Sequence, residues 1–232
     1  MSLNEFKKEM EKLADKENAV NLQRFFKTGK GQYGEGDIFL GIKVPVQREV
    51  SKRFRDLSLK ELQELLDSKI HEHRLSSLFI LVDKYKKADE NTKKEIFDFY
   101  LKNTTKINNW DLIDLSAPNI VGSYLLDKSR EILYRLAKSE NLWEKRISVL
   151  ATAAFIRQNQ FDDMFKIAEI LLKDKHDLIH KAVGWMLREI GKRDQEAEEK
   201  FLKKHFKTMP RTMLRYAIEK FDEEKRKVYL GK

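Results

Sequence analysis

The chain has 232 residues, 41% of them hydrophobic, 37% charged and 10% aromatic, and a formal net charge of +9. Recurring apolar and aromatic positions exclude a disordered chain, and nine Gly with three Pro are too few for an all-β protein built on tight turns. The absence of Cys excludes a disulfide framework, a thiolate zinc site and a thiol nucleophile.

The charge biases partners toward polyanions, nucleic acid before an anionic membrane, although a plain solvated basic surface gives the same number. No apolar run approaches the roughly 20 residues needed to cross a bilayer, so no membrane association is expected. The chain starts M-S-L-N-E-F-K-K-E-M-E-K-L, an amphipathic helix pattern without the apolar segment of a signal peptide. A cytoplasmic protein is expected, nucleoid-associated when bound to DNA.

Lys27 to Lys43, K-T-G-K-G-Q-Y-G-E-G-D-I-F-L-G-I-K, holds five of the nine glycines and predicts a loop, closed by Val44-Pro45 at the start of the next helix. A phosphate cradle and a structural turn beside a DNA backbone are the two readings. Against the first, the G-K-[ST] ending of a P-loop is missing and no strand precedes the loop. From there apolar residues recur at helical spacing: Leu59, Leu62, Leu65 and Leu66, then Leu75, Leu78, Phe79 and Val82, then Leu133, Leu136 and Ala137, then Phe165, Ala168, Leu171 and Leu172. Short polar joints at 139–142, 174–177 and 208–210 separate them. The fold class is all-α.

A repeat emerges when the helices are superposed. Arg74 opens R-L-S-S-L-F-I-L-V-D-K-Y, Arg146 opens R-I-S-V-L-A-T-A-A-F-I-R, and Lys181 opens K-A-V-G-W-M-L-R-E-I-G-K. Arg74, Trp110, Arg146 and Lys181 follow one another at 36, 36 and 35 residues. Periods of this size with paired helices indicate an α-solenoid of HEAT-like repeats forming a single domain over residues 1–232. Basic residues at equivalent positions, with Arg157 and Arg188 returning near the helix ends, predict a positive stripe along a concave cleft, and Trp110 falls in the same register.

Within N-N-W-D-L-I-D-L-S-A-P, Asn108 or Asn109 is a suitable N-cap for a helix starting at Trp110. Asp111 in the first turn suits the helix dipole. Asp114 shares a face with Trp110 one turn away; a salt bridge to a neighbouring cation and a functional carboxylate are equally open for it. Pro118 should kink or interrupt the helix. Trp143 reads as core. Trp185 shares a face with Arg188, and Gly184, which costs a helix about 1 kcal/mol against Ala, implies a close approach.

W-D-L-I-D-L-S-A-P, N-L-W-E-K-R, K-A-V-G-W-M-L-R-E and F-L-G-I-K-V-P together resemble the AlkD-type DNA alkylation repair glycosylases, over about Leu22 to Phe221. The resemblance implies HEAT-like repeats holding alkylated double-stranded DNA in the basic cleft. It implies base excision repair by release of cationic 3-methyladenine and 7-methylguanine without base flipping. By match to the motifs, Asp114 is the catalytic carboxylate, with Trp110 and Trp185 lining the site. Arg146 and Arg188 hold the DNA backbone, and Lys181, Arg157 and Lys43 are further expected DNA contacts. Some paralogues within that superfamily have lost the aspartate or the tryptophans and with them the glycosylase activity; this chain retains Trp110, Asp114 and Trp185, and an active enzyme is expected. It departs from some relatives at Phe25, where they carry tyrosine, and at Lys43, where they carry glutamine.

No cofactor is called for, and no metal site is expected. His71 and His73 are misplaced for the H-E-x-x-H motif, and His176 with His180 lacks a third ligand. A monomer suffices to cradle DNA. The alternative class is a non-catalytic HEAT-like module that binds DNA or protein.

Overall fold

The computed structural model describes residues 1–231, and within them the protein is all-α, with fifteen α-helices, one π-helical turn, one 3-10 turn and a single isolated parallel bridge between Ile38 and Ile70. The helices gather into two compact units, one of residues 1–116 and one from Ala117 onward.

The first unit comprises α1 (Leu3–Lys12), α2 (Lys16–Phe25), α3 (Val44–Arg53), α4 (Leu59–Leu66), α5 (His71–Lys87), α6 (Glu90–Lys102) and α7 (Trp110–Ser116). Side-chain caps start several of them. Ser2 with Glu5 and Ser58 with Glu61 form capping boxes, and Asp15 and Asp89 accept from the amides of Asn18 and Thr92 in the first turns of α2 and α6. α5 is the centre of the unit: every residue from His71 to Val82 is buried. Its middle, L-F-I-L-V, is apolar, but its start, H-E-H-R, puts four polar side chains out of water. Such burial is tolerable where the groups find partners, and these come from the glycine-rich loop, from α7 and, for His73, from the Ser68 hydroxyl at 3.1 Å in the joint before α5.

The second unit begins with the π-helical turn Pro118–Gly122, the interruption expected at Pro118. Then follow α8 (Glu131–Ala137), α9 (Leu142–Ala151), α10 (Ala153–Ile156), α11 (Asp162–Leu171), α12 (Asp177–Gly191), α13 (Gln195–His205), α14 (Arg211–Ala217), a 3-10 turn and α15 (Glu223–Leu230). The three polar joints fall between helices. α12 is the hub and packs on α9, α11, α13 and α14. Gly184 explains its closest crossing, since a Cβ there would fall 2.5 Å from Tyr216 Cβ and into the Met213 carbonyl. Trp143 is buried, as its spacing predicts.

The repeat register needs correction. Trp110 is the first residue of α7, whereas Arg74 is the fourth of α5, and Arg146 and Lys181 are the fifth of α9 and α12. The fifth residue of α7 is Asp114, so the carboxylate, not the indole, corresponds to Arg146 and Lys181. Equal sequence spacing misaligned the helices because the joints between them differ in length.

Candidate active site

The first turn of α7 is set locally. Asn109, fully buried, accepts the Trp110 amide on its side-chain oxygen at 2.8 Å, which fixes where the helix begins. Trp110 and Asp114 are both half-buried and lie one turn apart on one face. Phe26 stacks on one face of the Trp110 ring, with centroids 5.2 Å apart and planes 12° from parallel, and Phe25 meets the ring edge-on at 5.9 Å. One indole face is therefore covered by Phe26. Phe25 is itself 63% exposed at the end of α2. Asp114 lies close enough to Tyr100 to act on it electrostatically: burial first, then the Asp114 charge, raises the Tyr100 hydroxyl well above its usual range, against a hydrogen bond with Ser116 at 2.9 Å.

Asp111 does more than start the helix. Its Oδ1 accepts the Leu112 amide at 2.9 Å, but its Oδ2 lies 2.8 Å from His71 Nε2. The other ring nitrogen, Nδ1, is 3.1 Å from Asp37 Oδ2, and Asp37 Oδ1 pairs with Arg74 at 2.7 Å. Carboxylates only accept, so an imidazole between two of them is held doubly protonated. Burial opposes the charge on His71, but Asp111, by charge and hydrogen bond, and Asp37 outweigh it and push the group up to about 9. Burial likewise opposes ionisation of Asp37, and the hydrogen bond from His71 with the charge of Arg74 holds it below its usual range.

The glycine-rich loop does form an anion-binding concavity, and the chain fills it itself. The fully buried Glu72 carboxylate accepts from the amides of Gly41 at 2.8 Å, Leu40 at 3.0 Å and Ile42 at 3.3 Å. The phosphate-cradle reading is thereby excluded for these three amides. Gly41 is needed on two counts: its φ is +86°, and a Cβ would run into the Asp15 carbonyl. Lys43, at the end of the loop, caps α3 by backbone alone and is exposed.

In the second unit, α12 carries Trp185, Arg188 and Lys181. Trp185 is half-buried and donates its indole N–H to Glu189 at 3.0 Å, and Glu189 also pairs with Lys192 at 2.6 Å. Arg188 pairs with Glu219, and Lys181 pairs with Asp177 at 2.6 Å. Arg157 is exposed at the end of α10. Arg146 is not placed as the stripe predicts. It is only 4% exposed, and its guanidinium donates to the Leu178 carbonyl in the first turn of α12 at 2.7 Å. Arg74, 5% exposed, likewise donates to the Ser68 carbonyl at 3.0 Å. These two arginines are buried and donate to part-buried carbonyls, so they do not contribute to an exposed basic stripe. Among the described residues no group of three or more His, Asp or Glu is arranged to hold a metal ion, and no helix is long and apolar enough to cross a membrane.

Three residues escape the sequence reading. His71 and Asp37 are separated by 34 positions, and His71 and Asp111 by 40, so no local pattern joins them. Glu72 could have been suspected only from its place in H-E-H-R, an unusually polar start for a helix whose continuation is apolar.

The fold is all-helical, and its short α7 carries Trp110 and Asp114 one turn apart. The chain belongs to the DNA alkylation repair enzyme family, whose model matches residues 6–221. No protein of curated function matches its sequence. Among solved structures, it is similar to a predicted DNA alkylation repair enzyme from Enterococcus faecalis, with a TM-score of 0.71 at 16% identity over 90% of this chain and 97% of that one. It is also similar to AlkD2 from Streptococcus mutans, with a TM-score of 0.55 at 17% identity over 90% and 99% of the two chains. At these identities the likeness is one of fold, and it agrees with the all-α HEAT-like reading of the sequence.

Proposed function

We propose that the protein is a monofunctional DNA glycosylase that hydrolyses the N-glycosidic bond of cationic alkylated purines, 3-methyladenine and 7-methylguanine, in duplex DNA without flipping the base. The observation that carries this is the half-buried Asp114 on one face with Trp110, whose ring has one face backed by Phe26. A purine alkylated at N3 or N7 already bears a positive charge. Cleavage of the bond from C1′ returns its electron pair to the ring and neutralises it, so no strong acid is needed. The Asp114 carboxylate stabilises the oxocarbenium-like sugar and orients the water whose oxygen bonds to C1′; the displaced proton passes to solvent. The Trp110 indole attracts the cationic base, worth about 0.5–2 kcal/mol, and holding the lesion without extrusion departs from the usual glycosylase strategy.

Trp185 serves as the second ring. Arg188, Lys181, Arg157 and Lys43 meet backbone phosphates, and the pairs that Lys181 and Arg188 make with Asp177 and Glu219 exchange for phosphate on binding. Arg146 acts on DNA through the first turn of α12, which its guanidinium holds. The test is release of free base from duplex DNA containing 7-methylguanine. Asp114→Asn is expected to abolish most of the release with little change in duplex affinity. Full activity of Asp114→Ala would sink the assignment. A folded wild type that binds duplex but releases no base from any alkylated substrate would favour a non-catalytic module instead.

A further inference from the structure

Behind Trp110 lies a buried chain of charges that the proposed reaction does not use. Arg74 pairs with Asp37, Asp37 with His71, and His71 with Asp111, the residue next to Trp110 in the chain. His71 also reaches Trp110 by a second route. Its ring stacks on Phe39 at 4.6 Å and 21° and packs against Phe26 at 5.0 Å; Phe26 in turn stacks on the indole. The loop that carries Asp37 and Phe39 is clipped to the start of α5, since the His71 amide donates to the Ile38 carbonyl at 2.8 Å and the Ile38 amide to Lys69 at 3.0 Å. One imidazolium therefore ties both the backbone that starts α7 and the aromatic wall behind Trp110.

We propose that His71, clamped between Asp37 and Asp111, is the positioning residue that holds the Trp110 ring in place for the substrate cation. The proposal rests on the reading of Trp110 as a cation-binding ring. The charged groups facing His71 are Asp37 from the loop, Asp111 from α7 and Arg74 from its own helix. Each carboxylate of the clamp needs one ring N–H. A neutral imidazole keeps a single N–H and can satisfy only one of them. Loss of the proton opens the clamp either at Asp111, freeing the start of α7, or at Asp37, freeing the loop that carries Phe39. Both openings remove a brace from Trp110.

The test uses Trp143→Phe/Trp185→Phe, which leaves Trp110 as the sole tryptophan of the full chain. Its emission is followed against pH beside the His71 ring resonances. Emission is expected to titrate with the His71 midpoint in the alkaline range, and His71→Gln to remove the titration while holding emission at its alkaline value throughout. Asp111→Asn, which keeps the side-chain shape, covers the case where His71→Gln does not fold. It removes one of the two charges that favour the imidazolium and should move the midpoint at least about one pH unit lower, a tenfold change in proton concentration. Emission that stays flat while His71 titrates, or an Asp111→Asn midpoint equal to that of the parent, overturns the proposal. Base release by the wild type separates the two ideas. Titration without release retains the brace and removes the glycosylase reading; release without titration does the reverse.

Discussion

Replacing Glu72 with glutamine tests how the glycine-rich loop is held. One carboxylate oxygen accepts the Gly41 and Ile42 amides and the other accepts Leu40, all out of solvent. In Glu72→Gln the side chain would keep an oxygen for the first pair but turn an amide N–H₂ against the Leu40 N–H, leaving a buried donor without an acceptor, at about 1–3 kcal/mol. The two surviving bonds lose their charge assistance, worth together about another 1–2 kcal/mol. The sum is a destabilisation of about 2–5 kcal/mol, read as a lowered urea midpoint at unchanged slope. Amide exchange at Gly41 should accelerate more than exchange in α12, which Glu72 does not touch. In the wild type the nest is already occupied by the chain's own carboxylate, so millimolar nucleotide should leave the melting temperature unmoved. A loss below about 1 kcal/mol, or a nucleotide-induced rise in melting temperature, would refute the filled-nest account.

Gly184→Ala should destabilise by more than about 2 kcal/mol, because the new methyl enters the Met213 carbonyl and Tyr216 Cβ at the α12–α14 crossing; thermal unfolding reads it. Arg146→Ala removes a second, part-buried donor to the Leu178 carbonyl together with the packing of the arginine stem and should cost about 1–3 kcal/mol, with any loss of duplex affinity accompanied by that loss of stability. Burial first, then the neighbouring Glu199, pushes Glu198 up to about 8. The unfolded chain ionises near 4.5 while the folded one holds its proton, so this group erodes stability as pH rises from about 4.5 to about 8. Glu198→Gln should therefore gain more than about 1 kcal/mol at pH 8 and little at pH 4. His71 has the same sign of pH dependence, but as a favourable contribution that is lost. Its folded value of about 9 lies above the ordinary 6.5, so its contribution, about 3 kcal/mol at most, is complete below pH 6.5 and gone once pH passes 9. Denaturant midpoints across that window, lost in His71→Gln, measure it.

Features set by near neighbours were legible in the sequence. The start of α7 follows from Asn109 and the break after it from Pro118, because each cause sits within a few residues of its effect; Gly184 announced a close approach but not its partner, α14. The repeat register was not legible: residue type and equal spacing matched Trp110 with Arg74, while joints of unequal length moved the helix starts. The site divides the same way. The shared face of Trp110 and Asp114 is a consequence of helical periodicity. The second partner of Asp111 is not, because His71 is brought to it only by the packing of α5 on α7, 40 residues away. Asp111 thus keeps its helix-start bond to Leu112 and gains a second bond that no local pattern announces.

The burial of Arg74 and Arg146 changes where the basic character of this chain can act. Both stand near the same position of a helix start, and both spend a guanidinium N–H on a backbone carbonyl, Ser68 in the turn before α5 and Leu178 in the first turn of α12. A carbonyl oxygen has two lone pairs and can take a second donor beside its helical one, and arginine brings several donors on a long apolar stem. A recurring arginine is thus a repeat-to-joint fastening, and its conversion to Lys should be poorly tolerated, since an ammonium lacks the planar fork. Attraction for a polyanion then falls to cations that remain at the surface, such as Lys43 and Arg157, and to those such as Lys181 and Arg188 whose carboxylate partners a phosphate can replace. Duplex affinity should accordingly fall steeply with salt, and Lys43→Ala or Arg157→Ala should each reduce that slope by about 1. Unchanged slopes in both variants would place the DNA-attracting charge elsewhere on the chain.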